Sequence, residues 1–69
     1  MLDFTGIQVL VGDIVVFVKP RERKLIQGEV LKLTPKGIRV GYYKSIGRGV
    51  FVEYTHFLNE GQFVVIDKA

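Results

Sequence analysis

The 69-residue chain has no cysteine and no tryptophan, one histidine, one methionine and two prolines. Without cysteine there is no disulfide framework, no thiolate nucleophile and no zinc finger. A lone histidine, His56, excludes a multi-histidine metal site. Long apolar runs are missing too. The longest, Ile14 to Val18, holds five residues, against about 18 for a membrane-spanning helix. Met1-Leu2-Asp3-Phe4 carries neither the basic nor the apolar region of a secretory signal, so no membrane partner and a cytoplasmic location are expected. Helical patterning also fails, because glycine or proline interrupts every apolar stripe at i, i+3, i+4, i+7.

What remains is a chain that is 48% hydrophobic and 25% charged. That is too apolar for a disordered tail and long enough for one domain, 1–69, with 1–11 as a lead-in segment. Such a domain buries only roughly 60% of the surface its unfolded form exposes, so its core has little margin.

Charge is unevenly placed. Lys19, Arg21, Arg23, Lys24, Lys32, Lys36, Arg39, Lys44 and Arg48 stand against only Glu22 and Glu29 in the window 19–48, a local net of +7. The remainder holds Lys68 and five acids, Asp3, Asp13, Glu53, Glu60 and Asp67, for a net of −4. Segregation of this kind favours a polyanionic partner, either nucleic acid or an acidic protein face.

The periodicity is that of β-strands. Short runs rich in Val, Ile, Phe and Tyr alternate with turn residues. Strands are expected at 14–19, 25–33, 38–44, 50–54 and 62–66. Gly12-Asp13 launches the first and Pro20, which lacks an amide hydrogen, stops it. Thr34-Pro35-Lys36-Gly37 reads as a tight turn, and Ser45 to Gly49 as a flexible connection. Thr55 to Gly61 has the length and capping residues for one 3₁₀ turn. Mid-strand Gly28 and Gly41 mark where a bent sheet wants no side chain. The expected architecture is all-β: a five-stranded antiparallel barrel that curls on itself to remove its edges.

The segments VGDIVVFV (Val11 to Val18) and IQGEVLKL (Ile26 to Leu33) carry a resemblance. Gly-Asp-x-Val, a charged loop and then Gly-x-Val resembles the KOW motif of ribosomal and transcription-elongation proteins, and is similar to the openings of Tudor-like barrels. The chain departs from the family's Gly-Lys-x-x-Gly loop, of which only Gly28 is matched. The resemblance implies an SH3-like small barrel. The overall pattern is also similar to small uncharacterised proteins of tailed bacteriophages.

That register places Val15, Phe17, Gly28, Val30, Leu33, Ile38, Val40 and Tyr42 inside. Val50, Val52 and Tyr54 lie opposite, Val64 and Ile66 close the barrel, and Leu58 plugs one end. Ile14, Val16, Val18, Leu25, Leu31, Phe51, Phe63 and Val65 are then left facing outward. Either the segment with Phe4, Ile7, Val9 and Leu10 covers them or another molecule does.

In a meander, alternate connections fall at one end. Arg21, Arg23 and Lys24 are therefore expected beside Lys44 and Arg48, flanked by outward Arg39, Tyr43 and Phe51. Guanidinium forks bind phosphate oxygens and aromatic faces stack on unpaired bases, while ordinary solvation or cross-strand packing is the plainer role for these residues. His56 reads as a packing or capping residue, and Glu53 as a cross-strand partner of Arg39 or Lys44. No phosphate-binding loop, dinucleotide fingerprint or nucleophile elbow occurs. The expected function is non-catalytic nucleic-acid binding, DNA or RNA, of low sequence specificity and without a cofactor. The alternatives are a protein-interaction or regulatory module docking through the apolar face or onto an acidic partner within a larger assembly, and a subunit that self-associates weakly.

Overall fold

The computed structural model describes residues 1–19, 21 and 23–69. Five strands form, β1 Ile14–Val18, β2 Leu25–Leu33, β3 Gly37–Gly47, β4 Val50–Asn59 and β5 Phe63–Asp67. They make one antiparallel sheet in the order β4-β3-β2-β1-β5. β-branched and aromatic residues supply the strands, and alternation decides which face of each is buried. Val15 and Phe17 of β1, Val30 of β2, Ile38, Val40 and Tyr42 of β3, Leu58 of β4 and Phe63 and Val65 of β5 form the core with Val9.

The sheet is not a closed barrel. β4 and β5 remain its two edges, with no ladder between them among the described residues. The expected 3₁₀ turn is absent as well. Thr55 to Leu58 stay extended because they pair with Gly41 to Ile38. The chain turns only at residues 60–62, where Gln62 N–H donates to Asn59 O and Gly61 takes φ 83°. Likewise, 45–47 are strand: Ser45 pairs with Phe51 and Gly47 with Val50 around a bulge. The flexible connection shrinks to Arg48-Gly49, both at positive φ, as two-residue hairpin loops favour. Pro20 and Glu22 lie outside the described residues, and with them the proline stop and one acid of the basic window.

Inward assignments fail in β5, in β4 and at the end of β2. In β5, Phe63 and Val65 are buried and Ile66 is exposed, reversing the expected register. Val64 faces Val16 and Phe63 faces Phe17, and a shift between Ile14 and Val15 leaves Ile66 bulged. In β4, Val50, Val52 and Tyr54 do share the face of Leu58, yet all three are exposed. They lie beyond the reach of β2, whose pairing with β3 ends at Glu29–Gly41. Leu33, at the outer end of β2, is exposed also.

The lead-in wraps the end of the sheet around Asp3. Asp3 Oδ1 accepts from the Thr5 N–H, the Thr5 hydroxyl and the Ile7 N–H, each at 2.8 Å. Its Oδ2 accepts from the Val65 N–H at 2.8 Å, and the Phe4 N–H donates to Phe63 O. Thus the lead-in buries Val9 but caps β5 rather than covering the outward apolar set; Phe4, Ile7 and Leu10 stay exposed.

Candidate nucleic-acid interface

The site arises where two hairpins part. Leu25 to Gly28 pair only with β1, while Tyr42 to Gly47 pair only with β4. Between the diverging arms opens a cleft of about 440 Å³ lined by Lys24, Leu25, Ile26 and Gln27 on one wall and Tyr42, Tyr43, Lys44 and Ser45 on the other. A close approach of backbone sets the branch point. A Cβ on Gly28 would stand 2.9 Å from Gly41 O and 3.3 Å from Phe17 Cε1. Only glycine lets β2 cross β3 so tightly.

Lys24 and Lys44, from the first and third connections of the sequence, share this cleft. Arg21 and Arg23 are exposed on the connection leading into it, and Arg48 is exposed at the tip of the β3–β4 ribbon. Arg39 stands apart from the cleft, paired with Lys32 of β2 and Phe57 of β4. Tyr43 is 71% exposed and Phe51 63%, so neither is a core residue. Glu53 lies opposite Tyr43 rather than beside Arg39 or Lys44, which pair with Phe57 and Val52. Among the described residues, Arg23 at φ 52° and Arg48 at φ 29° are the non-glycine residues with positive φ.

Behind the cleft the aromatic core is stiffly tied. His56 stacks on Phe17 with centroids 5.8 Å apart and rings 10° from parallel, a packing role without capping. Phe17 meets Tyr42 edge-on, and Tyr42 stacks on Tyr54 at 5.8 Å. Lys19 Nζ donates to the Tyr42 hydroxyl at 2.9 Å. It lies 5.6 Å from the ring centroid, at the hydroxyl end, so the hydrogen bond is the contact that counts. Gln27 lines the cleft although nothing in its local sequence marks it, since its place depends on where β2 leaves β3.

A second concavity, of about 570 Å³, is apolar. It runs along the seam between β4 and β5, which do not pair with each other, with Phe4, Val18, Leu25, Phe57 and Val64 among its walls. The outward set Val16, Val18 and Leu25 therefore lines a groove.

The sequence model of the family described as Domain of unknown function (DUF7205) matches residues 1–66. No curated protein and no solved structure matches the chain.

Proposed function

The chain belongs to the DUF7205 family, and from that premise we propose that it is a non-catalytic nucleic-acid-binding β module. One observation carries the reading: Lys24 and Lys44, twenty residues apart, wall a single cleft beside the exposed ring of Tyr43. Arg21, Arg23 and Arg48 extend the positive surface along both arms. Cations on the two facing arms hold a phosphate backbone, and an exposed tyrosine offers a face on which an unpaired base stacks. A two-stranded ribbon is also of a width that enters a duplex groove. The left-handed backbone of Arg23 and Arg48 supports the assignment, since such conformations cost free energy and persist where function uses them. None of these contacts reads a base edge, so sequence specificity is low. The meander, whose last strand returns beside the first, supports kinship with SH3-like barrels left open at the seam.

The test is an NMR titration of labelled protein with short single- and double-stranded oligonucleotides at rising salt. Shifts should concentrate at Lys24 to Gln27 and Tyr42 to Arg48, and affinity should fall steeply with salt through counterion release. No shift at low salt, or binding indifferent to salt, overturns the reading. A cellular protein partner lost on Val18→Asp but kept on Arg21→Ala would instead assign the apolar groove a docking role.

A further inference from the structure

We propose that the protein forms a two-fold homodimer by antiparallel pairing of β4 with β4 of a second copy. The two edges of the sheet are treated differently. The edge of β5 is closed by the lead-in: Phe4 N–H donates to Phe63 O and Val65 N–H to Asp3 Oδ2. Along β4, no backbone hydrogen bond from Val50 to Leu58 reaches any described residue outside β3. From Val50 to Leu58 every second N–H and C=O therefore points outward without a partner among the described residues.

Isolated edges are normally guarded by lysine, proline or shortness. β4 has none of these. It is ten residues long, VFVEYTHFLN, with Glu53 its one carboxylate and no Lys, Arg or Pro. One face beside the edge is apolar, where Val50, Val52 and Tyr54 are 54%, 36% and 40% exposed, while the other carries exposed Phe51 together with Glu53 and Thr55. A second copy satisfies the main-chain groups and covers these side chains together, as strand addition does elsewhere.

Symmetry and charge fix the register. A two-fold axis normal to the sheet opposes residues on the same face, whose numbers differ by an even count. An axis through Glu53 would set two carboxylates side by side, which is unfavourable. An axis through Val52 sets Val50 against Tyr54 of the second copy and Phe51 against Glu53, joining the two apolar faces. It uses Val50 to Tyr54, which lie clear of the seam. The pairing leaves the cleft open, because the cleft is on the β2 side of the ribbon and the free edge is on the other.

Sedimentation equilibrium from micromolar to near-millimolar protein tests this without any ligand. The wild type should follow a monomer–dimer equilibrium, and Val52→Lys, which places two ammonium groups on the axis, should be monomeric with an unchanged backbone spectrum. A strict monomer, or a dimer that survives Val52→Lys, overturns the proposal. Should that variant fail to fold, amide exchange of the wild type decides. Uniform protection through Val50 to Tyr54, with the outward amides about tenfold slower at high than at low concentration, supports the pairing. Strict alternation at every concentration refutes it.

Discussion

Two carboxylates with almost no surface in water, Asp3 and Asp13, hold the chain ends onto the sheet and make its stability depend on acid. Burial alone would raise the pKa of Asp3. The N–H groups of Val65, Ile7 and Thr5 and the Thr5 hydroxyl outweigh it and bring the value from 3.8 to about 2. For Asp13, burial is again opposed, chiefly by Lys68 Nζ at 2.6 Å and by the Ala69 and Leu10 N–H groups, and its pKa is also lowered. A carboxylate whose pKa is lower in the folded state adds stability above its unfolded value and loses it as the pH falls through the folded one. For Asp3 that window runs from about 4 down to about 2, and the linkage is worth about 2 kcal/mol. Asp3→Asn puts an amide donor against the Val65 N–H and should cost about 1–3 kcal/mol at neutral pH. Urea unfolding at a series of pH values should show the wild type losing about 2 kcal/mol more than the variant between pH 5 and pH 2. Parallel losses would show that Asp3 is not the acid-sensitive clasp.

At the scale of elements, glycine sets where strands touch. Gly37 is buried opposite Asn59, and a Cβ there would overlap the Leu58 carbonyl. The Gly28 position meets the Gly41 carbonyl at 2.9 Å, so β3 backbone must yield to any side chain. Gly28→Ala should cost about 1–3 kcal/mol and Gly37→Ala more, measured by chemical unfolding. If both were neutral, the close crossings would not be constraints. Much of this layout was legible. β2 lies where its hydrophobic run put it, and the alternation in β3 correctly buried Ile38, Val40 and Tyr42. Local pattern failed where it was degenerate or where depth mattered. Phe63 to Ile66 are four apolar residues in a row, so either parity fits the sequence, and pairing of Phe63 with Phe17 decides it. Val50, Val52 and Tyr54 have the right face but no β2 beneath them, and a strand's own pattern cannot say where its neighbour's neighbour ends. The shared place of Lys24 and Lys44 was legible from meander topology, whereas the distance of Arg39 from it depended on the β2–β3 register.

For the molecule as a whole, the balance is between a small core and a ribbon that contributes little to it. Among the described residues ten carry the buried apolar core, and the β3–β4 ribbon from Tyr43 to Phe57 contributes none of them. The ribbon tip therefore has scope to hold a backbone conformation that stability alone would not select. Arg48 sits at φ 29° beside Gly49 at φ 78°, in a loop type whose first position favours asparagine or glycine. A left-handed conformation costs a residue with a Cβ roughly 1–2 kcal/mol, partly offset by the greater chain entropy glycine has when unfolded. Arg48→Gly should thus stabilise the fold by about 0.5–1 kcal/mol, seen as a higher unfolding midpoint. The same change removes a guanidinium from the proposed phosphate surface. Affinity for duplex DNA should fall, and the slope of log K against log salt should shrink by about 0.9, the value of one lost phosphate contact. The two effects have opposite signs, which separates function from damage to the fold. A variant that is stabilised and binds with an unchanged salt slope would leave Arg48 strained for some reason other than phosphate.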